Sequence, residues 1–153
     1  MARATPLRVL FVGTDNATRS QLAEALLQHE AGGWFQATSA GIAPRPVYRL
    51  TVQVLHEIGI EWGSANSKSV DEVRDQPFDY VITMCREARD TCPVLPAEAA
   101  TLHWGVTDPA AVEGTPVERL AAYRHARREV ATAVHRFVEH TLRTGQGGQP
   151  PSE

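Results

Sequence analysis

Residues 7–20, LRVLFVGTDNATRS, set a nearly continuous apolar run directly against an eight-residue polar loop, 13–20, that ends in Arg19-Ser20 and opens into a helical pattern. A short run apolar at successive positions belongs in a strand buried on both faces of a parallel sheet. A loop that closes on a helix N-terminus turns several backbone N–H groups toward one spot and adds the positive end of the helix dipole. An arginine at its end supplies a guanidinium for bidentate contact with a tetrahedral anion. These parts suit phosphate, sulfate or arsenate. The segment lacks the Gly-Lys-Ser/Thr of a Walker loop and the G-x-G-x-x-G of a dinucleotide loop.

The rest of the chain repeats the strand-then-helix alternation. From Ser20, the residues Leu22, Ala23, Leu26 and Leu27 form one stripe with Gln21, Gln28 and Glu30 off it, and Gly32-Gly33 ends the helix. Trp34 to Ser39 reads as a second strand and residues 40–46 as the turn after it. Val47, Leu50, Val54, Leu55 and Ile58 recur at helical spacing up to Gly59. Phe78 to Met84 is a third strand with Cys85 just past its end, Arg86 to Thr91 a short helical turn closed by Cys92-Pro93, and Ala100 to Trp104 a fourth strand. Pro116 fits the first turn of a last helix, whose stripe of Val117, Leu120, Ala121, Val130, Val134, Phe137 and Val138 is expected to cover the sheet.

Alternating strands and helices imply right-handed crossovers and a parallel sheet with helices on both faces. The expected architecture is a single-domain α/β three-layer sandwich over residues 1–143, followed by a disordered tail over 144–153. With a strand order of 2-1-3-4, the loop at 13–20 falls at the topological switch point, where such sheets bind ligands. The loops carrying Cys85 and Asp108 leave the same edge.

Composition narrows the partners. A net charge of −3 over 153 residues offers no broad basic surface for nucleic acid. No apolar run approaches the roughly 18 residues of a membrane span, and no cationic segment leads into an apolar one. Two cysteines are too few for a secreted disulfide framework. A cytoplasmic monomer is expected, with no bound cofactor and no metal, since the six histidines show no ligand spacing. His125, His135 and His140 are expected to face solvent, and Trp34 and Trp62 to pack.

Taken together, the loop, the cysteine segment and the Asp-Pro loop resemble the thioredoxin-coupled arsenate reductases and their relatives, the low-molecular-weight protein tyrosine phosphatases. Their loop is C-x5-R-S; Arg19 and Ser20 match its anion-binding pair, Asn16 its asparagine, and Gly13 stands where the nucleophilic cysteine belongs. The resemblance covers about residues 7–142. It implies an oxyanion site built from Gly13, Thr14, Asp15, Asn16, Ala17, Thr18, Arg19 and Ser20, with arsenate or phosphate as ligand. In that family the thiolate of the loop cysteine attacks arsenic or phosphorus, a step for which glycine has no side chain. Thr18 stands where many arsenate reductases carry a second loop cysteine.

Further marks of the resemblance lie outside the loop. Asp108-Pro109 resembles the loop that carries the family's general acid, and Ala110 after it resembles the reductase branch, the phosphatases usually having an aromatic residue there. The segment from Thr83-Met84-Cys85 to Cys92-Pro93 implies the reductases' thiol relay, which passes an oxidised pair to thioredoxin. Seven helical residues advance about 10 Å, beyond the roughly 7 Å between Cα atoms that a disulfide tolerates, so bonding Cys85 to Cys92 requires the segment to unwind. Lys68 stands where some reductases have a carboxylate that helps hold potassium. Its ammonium is expected to replace the ion, pairing with Glu24 and contacting Asn16 and Ser39. The expected outcome is an arsenate reductase scaffold, inactive or severely impaired; the alternatives are a non-catalytic oxyanion-binding or sensing protein and a binder of arsenite through Cys85 and Cys92.

Overall fold

The apolar run at the start is β1 (Leu7–Gly13), which lies at the centre of the sheet with only Arg8 partly exposed. The computed structural model describes residues 5–92 and 95–144; the expected disordered tail, from residue 145, and Pro93 lie outside the described residues. After β1 come α1 (Arg19–Ala31), β2 (Phe35–Gly41), α2 (Arg49–His56), α3 (Val70–Val73), β3 (Tyr80–Thr83), α4 (Arg86–Thr91), β4 (Ala100–His103), a 3-10 turn at Pro109–Ala111 and α5 (Pro116–Arg143). The four strands are parallel in the order β2-β1-β3-β4. The expected sheet and its switch point are therefore present, with β1 flanked by β2 and β3.

Alternation along β1 divides the core. Leu7, Val9 and Phe11 face Leu22, Leu26 and Leu27 of α1, Val54 and Leu55 of α2, and Val130, Val134 and Phe137 of α5. Leu10 and Val12 face the other way, against Val70 and Val73 of α3 and Ala88 of α4. Phe137 is the aromatic hub of the first layer, with its ring 5.0 Å from Tyr80, 5.5 Å from Phe35 and 6.0 Å from Trp104. The second layer is thinner: α3 has four residues and α4 six.

Several sequence expectations are corrected. Gln21 is not on an exposed face but is 1% exposed, because the first half of α1 is wrapped by the loop beneath it as well as by the sheet. Ile58 lies beyond the end of α2 and is 40% exposed, while Thr51 inside that helix is fully buried. Val117 is 77% exposed and Ala121 is also exposed. The first turns of α5 overshoot the sheet, and the buried stripe runs through Tyr123, Ala126, Val130, Val134, Phe137, Val138 and Thr141. Ala40 and Gly41 belong to β2 rather than to the turn after it. The connection at 66–73 contains α3, whose Ser69 and Glu72 form a reciprocal N-terminal cap.

Candidate oxyanion site

The loop after β1 is built by turning its carbonyls outward. The carbonyl oxygens of Gly13, Thr14, Asp15 and Ala17 accept from the backbone N–H groups of Ile42 (3.1 Å), Ala43 (2.8 Å), Arg45 (2.9 Å) and Tyr48 (3.2 Å). Thr51 adds its hydroxyl to the Ala17 carbonyl at 2.8 Å. A peptide whose carbonyl is held outward turns its N–H inward, so the segment after β2 clamps the loop into a concave array of donors. Gly41 is what allows the two segments to run so close, since a Cβ there would sit 2.8 Å from the Asn16 nitrogen and 2.9 Å from the Thr14 oxygen.

Asn16 is the inner brace. It is the one non-glycine among the described residues with positive φ, at 53°, a conformation that asparagine tolerates better than most residues. Its amide donates to Ser20 Oγ (2.8 Å) and Ser39 Oγ (2.9 Å), and its Oδ1 accepts from Lys68 N (2.8 Å) and Gln21 Nε2 (3.1 Å). Gln21 also reaches the Asn16 and Asn66 carbonyls, and its own oxygen accepts from Trp62 Nε1 at 2.8 Å. Trp62, expected only to pack, thus also orients Gln21. Sequence reasoning missed Gln21, Asn66, Thr51 and Ser67, whose hydroxyl donates to the Asn16 carbonyl at 3.0 Å.

Around the loop, Ser39 donates to Glu24 at 2.6 Å, and Lys68 Nζ lies 3.8 Å from the same carboxylate. Burial pushes the Glu24 carboxyl up, while the Ser39 hydrogen bond and the Lys68 charge pull it back down. The expected contact from Lys68 to Asn16 is made, but by its backbone N–H; the ammonium donates to the Asn66 carbonyl at 3.4 Å. Lys68 reaches Ser39 through Glu24. A cation beside Glu24 is supplied by the chain, so these residues do not fit a potassium ion as well. Among the described residues, no cluster of three or more histidine, cysteine or acidic side chains is placed to hold a metal ion.

At the mouth, Arg19 donates to the Val106 carbonyl at 3.1 Å and lies 3.7 Å from Asp108, whose Oδ1 caps the 3-10 turn through Ala110 N. Asp15 accepts from Ala17 N at 3.0 Å and so occupies one loop donor itself. Thr18 is buried and starts α1 by accepting from Leu22 N. Position 13 is snug: a Cβ there would meet Ser20 Oγ at 3.1 Å, so a side chain requires that hydroxyl to give by a few tenths of an ångström. Cys85, buried under the sheet edge, lies 3.2 Å from the Thr14 hydroxyl, which donates in turn to Glu87 at 3.2 Å. Cys92 stands at the far end of α4, half-buried, its thiol pushed up by burial. Loop, Cys85 and Asp108 thus converge as expected, whereas His125 and His135 are exposed on α5 and His140 is half-buried there.

Comparison with known proteins agrees with this geometry. The chain matches the family described as low molecular weight phosphotyrosine protein phosphatase over residues 8–146. It is 36% identical to an arsenate reductase of Halalkalibacterium halodurans over 131 residues, 86% of this chain and 94% of the relative. Among solved structures, the arsenate reductase from Archaeoglobus fulgidus superposes with a TM-score of 0.70 at 32% identity, covering 86% of this chain and 98% of that one. A thioredoxin-dependent arsenate reductase of Corynebacterium glutamicum superposes with a TM-score of 0.60 at 33% identity, covering 87% of this chain and 64% of that one. The chain belongs to the low molecular weight phosphotyrosine protein phosphatase family and, within it, to the arsenate reductases.

Proposed function

We propose that this protein binds arsenate or phosphate in the 13–20 loop and is an arsenate reductase severely impaired in turnover, because Gly13 takes the place of the first nucleophile. The observation that carries the reading is the outward anchoring of the loop carbonyls, which leaves inward N–H donors beside the Arg19 guanidinium. Arg19 exchanges its contact with Asp108 for the anion, and Asp108 is then free to protonate a leaving oxygen. Lys68 stands in for a potassium ion beneath the loop. Cys85 and Cys92 supply the two reducing equivalents, and thioredoxin restores them, as the name of the Corynebacterium relative suggests.

Ala110 after Asp108-Pro109 and the cysteine pair favour reduction over phosphotyrosine hydrolysis. That no described helix is long and apolar enough to cross a membrane supports a protein working in the cytoplasm, where thioredoxin keeps thiols reduced. The same two thiols support a second reading, capture of arsenite by Cys85 and Cys92 in a chain that only binds oxyanions.

The test is calorimetry with arsenate and phosphate on the parent, on Arg19→Ala and on Gly13→Cys, beside thioredoxin-coupled arsenate reduction. Parent and Gly13→Cys are expected to bind alike and Arg19→Ala to bind at least about 100-fold more weakly, two charge-assisted bonds being lost. Gly13→Cys is expected to turn over at least about 100-fold faster than the parent. Unchanged binding in Arg19→Ala would remove the loop as the site. A Gly13→Cys variant no faster than its parent would show that the block lies elsewhere and leave the binding reading in possession.

A further inference from the structure

We infer that Cys85 is itself the arsenate-attacking nucleophile of this chain, held at the oxyanion loop by Thr14 and Glu87 and resolved by Cys92, giving slow reduction without any loop cysteine. The inference rests on the reading that the 13–20 loop binds arsenate. Its first support is position. Cys85 is a buried member of the cluster with Leu10, Val12 and Ala88, and its sulfur lies 3.2 Å from Thr14 Oγ1, on the residue next to Gly13. Its second support is direction. Thr14 directs its one hydroxyl proton to Glu87 at 3.2 Å, which leaves the hydroxyl lone pairs to accept the Cys85 S–H. The thiol is therefore tethered to the loop rather than left to rotate into the core.

The chemistry closes with these two thiols alone. The Cys85 sulfur bonds to the arsenic of the dihydrogen arsenate monoanion, an As–O bond breaks, and the thiol proton leaves with that hydroxyl oxygen as water. The product is a singly charged thioarsenate ester on Cys85, with arsenic still pentavalent. Cys92 then attacks the Cys85 sulfur, the S–As bond breaks, and its electron pair stays on arsenic. The Cys92 proton goes to an arsenic-bound oxygen, giving the dihydrogen arsenite monoanion and the Cys85–Cys92 disulfide. Arsenic(V) becomes arsenic(III), and two thiols become one disulfide.

The second step needs the two cysteines to meet, and α4 is built to let them. They are its N-terminal and C-terminal flanking residues, and its end is closed by Arg89 N to the Cys85 carbonyl and Cys92 N to the Ala88 carbonyl, both at 3.0 Å. Only Ala88 of the helix is buried.

The test is a single turnover: fully reduced protein, desalted, with stoichiometric arsenate and no other thiol, followed by arsenite release and by peptide mass spectrometry of the cysteines. The parent is expected to release one arsenite per Cys85–Cys92 disulfide, at least about 100-fold faster than free cysteine at equal thiol concentration, through proximity. Cys85→Ser is expected to form neither product. Cys92→Ser should stop at an arsenic adduct on Cys85, and Thr14→Val should slow the disulfide about tenfold when each protein is saturated with arsenate. No arsenite from a parent that still binds arsenate, arsenite release that survives Cys85→Ser, or a Thr14→Val rate equal to the parent's would each overturn the inference. No arsenate binding in the parent would instead overturn the reading beneath it.

Discussion

The loop at 13–20 and the helix α4 face each other across the same sheet edge and are held in opposite ways. The loop is pinned by five bonds to its carbonyls from the segment after β2 and by the buried side chains of Asn16, Ser39 and Gln21. Helix α4 has six residues, and one of them is buried. A cradle must meet an anion without rearranging, because every donor that moves on binding costs affinity. A segment that has to bring two thiols together across a helix must be easy to unwind. The contrast teaches that binding and thiol exchange are assigned to parts of different stiffness, joined at the Thr14–Cys85 contact.

Breaking the stiff half should have the largest effect. Asn16→Ala removes four side-chain hydrogen bonds, strands the Lys68 N–H, leaves Gln21 only its bonds to backbone carbonyls, and places alanine at a φ of 53°. Loss of about 3 kcal/mol of stability is expected, since stranded buried donors each cost about 1–3 kcal/mol. Urea unfolding with phosphate titration would measure it. A midpoint unchanged from the parent, with phosphate still bound, would mean that the brace is decorative.

Much of this stiffness was not legible in the sequence, and the reason is specific. The strand, the Arg-Ser ending, Glu24, Ser39 and Lys68 are found by pattern or by resemblance. Gln21, Thr51 and Ser67 act on backbone carbonyls of the loop, and a carbonyl has no identity in the sequence. Only the fold decides which polar side chain reaches it. Gln21 illustrates the failure best: helical periodicity sets it off the apolar stripe, but the loop folds under α1 and buries that side too. Periodicity likewise misplaced Ile58 and Val117, because an apolar stripe is buried only as far as the sheet extends beneath it. The cysteine spacing was legible, but the Thr14–Glu87 tether was not, since both partners are ordinary surface residue types.

Beneath the loop, Lys68→Met should have a smaller effect with a definite pH dependence. Glu24 has its carboxyl raised in the fold by burial, so the stability it contributes is present at low pH and is lost as pH rises through the folded value. Lys68 limits that rise. Removing its charge pushes the carboxyl further up, and stability near neutral pH is expected to fall by about 1 kcal/mol, a partly exposed pair being worth no more. The variant should also acquire stabilisation by potassium over sodium that the parent lacks. Melting curves from pH 4 to 8 in the two salts would decide it; a parent already stabilised by potassium would remove Lys68 from the role of resident cation.

The smallest change in stability should come from loosening the pliable half, and there the effect on chemistry runs the other way. Ala88 is fully buried against Leu10 and Val12 and is the one α4 residue that ties the helix to the core. Glycine at that position costs about 1 kcal/mol in helix preference, and it removes a methyl from the contact with the sheet. Global unfolding should barely register this, because a six-residue helix opens locally before the sheet does. The Cys85–Cys92 disulfide, in contrast, must wait for that opening, and its formation under a mild thiol oxidant is expected to be about fivefold faster in Ala88→Gly, about 1 kcal/mol being close to that factor. Phosphate affinity should stay as in the parent, since no loop carbonyl is held by α4. If the disulfide forms no faster, unwinding is not what limits it and the division between a stiff cradle and a pliable thiol carrier fails at its second half. If it forms faster but phosphate binding weakens in step, the two halves are coupled more tightly than the Thr14–Cys85 contact alone conveys, and α4 must be counted as part of the cradle.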